Sequence, residues 1–270
     1  MNLQQLQNLT QKFQTTQKMP ILFLGHGSPM NAISSNQFTE SWQQLGKSLP
    51  TPQAILSISA HWETKGTFVT AMEKPQTIHD FYNFPQALYD MNYPADGDPN
   101  LAKSLHELNQ HIELDHKWGL DHGTWAVICH LYTKANIPTL QLSLDMSLSS
   151  EKHYELAKCL TALRHRGVLI LASGNIVHNL RLLDFRNSQG GHEWAEEARE
   201  SMTKMLLQND QQKLIHFKEQ GEAFKLSIPT DEHYLPLLYI LGLKEPNDEL
   251  LIFNNQSVMG SLAMTSLLYA

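Results

Sequence analysis

Five short apolar runs punctuate the chain, each bounded by Gly, Ser or Pro, at residues 20–25, 54–60, 139–143, 168–172 and 250–253. Their unbroken apolarity predicts strands covered on both faces, as in a mostly parallel sheet. Longer segments of helical period lie between them. Phe38, Trp42 and Leu45 mark one helix, residues 124–134 another, 149–164 a third and 192–207 a fourth. This alternation predicts an α/β fold with helices flanking a mostly parallel central sheet. Residues 1–18 are polar and Gln-rich, with Leu3, Leu6, Leu9 and Phe13 at near-helical spacing. They read as a short surface helix without the apolar core of a targeting signal. No repeat, linker or charge block divides the rest, so the expected organisation is a helical extension over 1–19 and a single domain over 20–270.

Composition narrows the function. Of 270 residues, 41% are hydrophobic, ample for a sizeable core. Twenty basic against 27 acidic residues give a formal charge of −7, a field that repels nucleic acid and anionic membranes. The longest apolar run, Leu235 to Leu243, is far short of the roughly 20 residues that span a bilayer. Cys129 and Cys159 both fall in apolar helix-like stretches, which leaves nothing to build a disulfide framework and suits a reducing cytoplasm.

The unusual feature is 14 histidines. Histidine is the commonest metal ligand and the usual acid or base near neutral pH. Three follow predicted strands: His26 in Gly25-His-Gly-Ser-Pro29, His61 in Ser59-Ala-His-Trp62 and His178 in Ser173-Gly-Asn-Ile-Val-His-Asn179. Ligands of open α/β sheets bind outside the carboxyl ends of the strands, so these three are expected to converge. His122 stands before a helix expected to start near Thr124. His233 stands in the first turn of a helix capped by Thr230 or Asp231, with Asp231 and Glu232 as rival ligands. His79 opens an aromatic stretch with Phe81, Tyr82 and Phe84, either a core cluster or a wall for a planar ligand. The other eight read as structural or solvated. Several neutral imidazoles and perhaps one carboxylate suit Zn(II) or Fe(II). Ser28 and Ser173 lie in no Gly-x-Ser-x-Gly elbow, and Gly25-His-Gly27 lacks the third glycine of a dinucleotide loop.

These segments resemble the class III extradiol ring-cleavage dioxygenases, most closely their 4,5-DOPA dioxygenase branch. The matching stretches are Gly25-His-Gly-Ser-Pro29, Ser59-Ala-His-Trp62, His79-Asp-Phe-Tyr-Asn-Phe-Pro85, Tyr93-Pro-Ala-Asp-Gly-Asp-Pro99, Leu120-Asp-His-Gly-Thr-Trp125, Gly174-Asn-Ile-Val-His-Asn-Leu180, Asp231-Glu-His-Tyr-Leu-Pro236 and Gly260-Ser-Leu-Ala-Met-Thr-Ser266. Gly-His-Gly-Ser alone is weakly specific; the ordered set, running from about residue 20 to the end, is strongly so. The chain departs at Ala263, where the family more often has serine.

The resemblance implies a catalytic domain over 20–270 with one divalent metal, held by His26, His61 and His233, the last replacing a glutamate of the wider superfamily. His178 matches the catalytic histidine, carried here as base and as possible additional ligand. His122 matches a second active-site histidine, and Tyr234 is expected as a neutral donor facing the substrate. The implied substrates are a DOPA-like catechol and O2. Zn(II) is the metal expected on isolation and Fe(II) the catalytic one, since Zn(II) is redox-inert. No nucleic-acid or membrane partner is implied, and the protein is expected as a monomer or small homo-oligomer. A zinc hydrolase, a tetrapyrrole metal chelatase and a non-catalytic binding protein are the competing classes.

Overall fold

Strand β1 (Ile21–Gly25) alternates its side chains between two buried layers, Ile21 and Phe23 on one face and Leu22 and Leu24 on the other. That two-sided burial is why the run has no polar positions. A computed structural model describes residues 18–270, and the helix expected over 1–19 falls outside them apart from its last two residues. The other strands of the main sheet are β2 (Ala54–Thr64), β3 (Thr67–Thr70), β4 (Ile112–Asp115), β5 (Thr139–Asp145), β6 (Val168–Gly174), β7 (Leu250–Phe253) and β8 (Ser266–Tyr269). Their order is β4-β3-β5-β2-β6-β1-β8-β7. The central four, β5-β2-β6-β1, run parallel, while β3 joins β5, and β8 joins β1 and β7, antiparallel. All five predicted strands are present. Strands β3, β4 and β8 lacked a legible run because they are four residues long and partly polar.

Helices α1 (Gln37–Ser48) and α3 (His122–Leu131) cover one face. Helices α4 (Ser150–Lys158), α5 (Glu193–Leu207) and α6 (Leu235–Leu243) cover the other, and α2 (Pro99–Leu108) packs beside β3 and β4. Every residue of α6 is buried, which accounts for a helix apolar all round. The third predicted helix is broken: α4 stops at Lys158, and residues 161–166 form a 3-10 turn ended by Gly167 at φ 72°. No helix among the described residues is long and apolar enough to cross a membrane.

A buried ion pair fastens the end of the domain remote in sequence from its start. Arg164, fully buried, donates from Nη1 and Nη2 to Asp248 at 2.6 and 2.9 Å, and from Nε to the Met19 carbonyl at 2.9 Å. Burial alone would raise the Asp248 carboxyl, but the bonds from Arg164 and Lys18 win and hold it at about 2. Arg164→Met is expected to cost about 3 kcal/mol in denaturant unfolding, because it strips a buried carboxylate of its two-pronged partner and leaves Lys18 as its one remaining cation. A loss under about 1 kcal/mol would show that the clasp is energetically idle. The Asp248 contribution is complete above the unfolded carboxyl pKa of about 3.9 and is lost as pH falls toward 2.

Candidate active site

Strands β1, β2 and β6 are parallel neighbours, so the segments at their carboxyl ends open on one edge of the sheet. His26 directly follows β1, its N–H donating to the Gly174 carbonyl at 3.2 Å. Its Nδ1 lies 3.0 Å from Ser173 Oγ, and that hydroxyl donates to the Gly123 carbonyl. The hydroxyl proton being committed, Nδ1–H of His26 is the donor and Nε2 keeps its lone pair.

His61 was expected just beyond its strand, yet it lies inside β2, where the register against β5 shifts between Ile58 and Glu63. Such an irregularity re-aims side chains without ending the strand. Its Nδ1 is 3.4 Å from Asp80 Oδ2, which leaves Nε2 turned the other way. His233 was expected in the first turn of a helix. Instead Pro236 sits in the first turn of α6, the helix begins at Leu235, and His233 occupies the preceding turn. There its carbonyl accepts from Asn175 N–H at 2.9 Å. A Cβ on Gly174 would stand 2.2 Å from that carbonyl oxygen, so only glycine lets the two segments meet. Nδ1 of His233 faces Glu232 Oε1 at 3.0 Å, while its Nε2 is buried with no protein partner.

The three free nitrogens converge. Nε2 of His26 and of His61 are 3.2 Å apart, and one nitrogen from each of His26, His61 and His233 falls within 4.8 Å of the others. Two nitrogens about 2.0–2.1 Å from one tetrahedral ion would be roughly 3.3 Å apart. Burial, and then the neighbouring imidazoles, push all three histidines well below their ordinary range, with Asp80 partly opposing this at His61. They are neutral near pH 7, the state in which imidazole binds a metal. The unpartnered Nε2 of His233 and this donor set fit a divalent ion. The rivals are placed differently: Asp231 pairs with Lys218, and Glu232 supports Nδ1 of His233.

His178 lies four residues beyond β6, its N–H fixed on the Ser227 carbonyl at 2.8 Å. Its ring stacks on that of His233 with centroids 3.4 Å apart, and one of its nitrogens groups with a Glu232 carboxylate oxygen and a His233 nitrogen, a set separate from that of His26, His61 and His233. Burial, then His122, lowers it to about 4, so it too is unprotonated near neutral pH. His122 is the first residue of α3, two positions earlier than expected, behind Asp121 as N-cap. Asp80 accepts from the backbone N–H of His122 at 2.9 Å and from its Nδ1 at 2.9 Å. The second bond leaves His122 Nε2 as the free nitrogen. Burial would raise Asp80, but these bonds prevail and hold it below the ordinary carboxylate range.

Five histidines, His26, His61, His122, His178 and His233, thus line one cleft of about 400 Å³, opposite Phe81, Phe84, Leu183, Phe185, Met259 and Leu262. Two expected substrate contacts are absent from it. Tyr234 is fully buried under Phe217 and donates to the Leu214 carbonyl at 2.8 Å, because α6 turns it into the core. His79 is spent on the Met91 carbonyl at 2.9 Å and packs behind Phe81, which takes the wall position instead. Asp80 was overlooked. It stands in the motif after His79, but an isolated acid in an aromatic segment carries no local signal of its partner 42 residues on. None of the other eight histidines lines the cleft.

A parallel-centred α/β sheet with a histidine cluster at its strand ends defines a metal-dependent enzyme fold open at one edge. Residues 17–260 match the family described as the catalytic LigB subunit of aromatic ring-opening dioxygenase, and the chain belongs to that family. It is an extradiol ring-cleavage dioxygenase acting on a small aromatic substrate. The chain is 48% identical over 255 residues to the 4,5-DOPA dioxygenase extradiol of Escherichia coli (strain K12), covering 92% of this chain and 94% of that protein. It is 36% identical over 240 residues to the 4,5-DOPA dioxygenase extradiol of Mirabilis jalapa, covering 85% and 89%. A crystal structure of an uncharacterized protein from Escherichia coli K12 superposes with a TM-score of 0.79 at 42% identity, covering 94% of this chain and all of that one.

Proposed function

We propose that the chain cleaves a DOPA-type catechol at the 4,5 bond, both atoms of O2 entering the product, with one divalent metal held by His26, His61 and His233. The observation that carries this is the convergence of three neutral imidazole nitrogens, one buried and unpartnered, on the floor of an apolar cleft. Bound Fe(II) would supply the one-electron exchange with dioxygen that Zn(II), the ion such a site also retains on isolation, cannot.

The chain's own residues do the rest. His178, unprotonated and on the cleft, takes a proton from a catechol hydroxyl as general base. Stacked on His233, it stands beside the metal position as base; a further ligand role is secondary. His122 presents Nε2 to the cleft and exchanges a proton with the oxygen end of the reaction, its tautomer fixed by Asp80. The aromatic and aliphatic wall excludes water and packs against the ring. A reducing cytoplasm suits the two free cysteines, and the working unit is a monomer or small homo-oligomer.

The direct test loads the apoprotein anaerobically with Fe(II) or Zn(II), adds L-DOPA, and follows oxygen uptake with the rise of a yellow semialdehyde product. Uptake in the iron form alone is the expected result; none with iron across a broad catechol series defeats the proposal. Asp80→Asn is expected to weaken metal binding about 10–100-fold. Asp80 Oδ2 faces Nδ1 of both His61 and His122, and an amide cannot accept there and also accept the His122 backbone N–H. Chelator competition measures the shift; unaltered affinity and unaltered kcat would remove Asp80 from the site.

A further inference from the structure

The first turn of α3 meets β2 and β5 through polar side chains buried as deeply as the apolar core. Asp121, Ser59, Thr124 and Gln141 are all fully buried. Asp121 Oδ1 accepts from Ser59 Oγ at 2.7 Å and from the Thr124 N–H at 3.1 Å, and Oδ2 accepts from Gln141 Nε2. Gln141 Oε1 in turn accepts from the Asp121 N–H at 3.2 Å and from Thr124 Oγ1 at 3.0 Å, which fixes the amide in that orientation. Every partner of the carboxylate is therefore a donor. Burial, then the Asp80 charge, push its carboxyl up to about 6, and above that range it is ionised.

Two contacts carry this network to the histidines. Ser59 Oγ, with its proton on Asp121, accepts the backbone N–H of His61 at 3.2 Å. A Cβ on Gly123 would stand 2.8 Å from His61 Cδ2 and 3.3 Å from Asp121 Oδ1, so the ring packs on the turn that the carboxylate holds. Cδ2 is bonded to Nε2, the nitrogen proposed to face the ion. His122 belongs to the same turn. We propose that Asp121 is a positioning residue, which aims His61 Nε2 at the ion and His122 Nε2 into the cleft by locking the first turn of α3 onto Ser59 and Gln141. The inference rests on the ligand reading above and adds the group that sets two of its rings.

A helix cap alone needs one acceptor. Here both oxygens must accept, and asparagine fails at the second, because its Nδ2 would face Gln141 Nε2, donor against donor. Exchanging the pair, Asp121→Asn with Gln141→Glu, restores every bond: the amide Nδ2 donates to the new carboxylate, which still accepts from the residue 121 N–H and from Thr124.

The test is made at about pH 8, where the carboxyl is ionised. Zn(II) affinity of the apoprotein is read by chelator competition, ligand geometry by the visible absorption of the Co(II)-loaded protein, and folding by circular dichroism in urea. Asp121→Asn is expected to weaken Zn(II) binding about 10–100-fold and to alter the Co(II) bands. The exchanged pair should recover the bands, and the affinity to within about threefold. Ser59→Ala, which breaks the link to His61 and leaves the cap bond to Thr124, is expected to weaken Zn(II) about tenfold. Unchanged affinity and bands in Asp121→Asn overturn the inference even if the unfolding midpoint falls, because the carboxylate is then a cap and nothing more. Unchanged affinity in Ser59→Ala also overturns it, as does an exchanged pair that recovers its midpoint but not its bands. An unaltered protein that binds neither ion overturns the ligand reading instead, a result seen before any variant is made.

Discussion

His233→Ala is expected to purify without its metal, with affinity lower on the order of 10²–10³-fold than the unaltered protein. The reason is structural as well as numerical. His233 is the only one of the three proposed ligands delivered from the α6 side of the cleft, and its Nε2 is buried with no other partner. Removing it leaves His26 and His61, a pair that two-coordinates an ion at most. Metal analysis after gel filtration, with chelator competition for the dissociation constant, reads the effect. Circular dichroism separates it from unfolding, since the His233 carbonyl that Asn175 needs survives the substitution. Full occupancy in His233→Ala would instead assign the ion to Glu232 and His178, the neighbouring donor group.

His178→Ala has the second large expected effect, on a different quantity. Turnover should fall about 10²–10⁴-fold, the usual span for a positioned general base, while metal content stays near that of the unaltered protein. His178 shares its donor group with Glu232 and His233 and not with His26 or His61, so three ligands remain after its removal. Pre-steady-state mixing of the iron-loaded variant with L-DOPA would then show substrate bound and ring cleavage slowed. Parallel loss of metal and turnover would make His178 a ligand first. The two variants together separate holding the ion from moving the proton.

The histidine pattern was legible because three of the positions follow apolar runs that are unmistakable, although β2 itself continues past His61. His26 needs only β1 to end at Gly25, and that boundary is written in the change from Leu24 to Gly25-His-Gly27. The failures share a cause. Tyr234 adjoins His233 and looked equivalent, but successive residues entering a helix point about 100° apart, and α6 spends that turn on the core. His79 and Asp80 are neighbours as well, and the aromatic cluster took the histidine while the carboxylate reached His122.

Periodicity and composition, which are local properties, determined that this chain forms a two-sided α/β sheet and that its histidines gather at strand ends. Only the tertiary structure decided how the five histidines singled out by the motifs face one another, and that His79 and Tyr234 do not join them. His26 meets Ser173 across 147 residues, His61 meets His26 across 35, and His122 meets Asp80 across 42. Separations of that size are set by strand order and by close approaches such as Gly174 against His233, neither of which leaves a trace in the local pattern of apolar and polar positions.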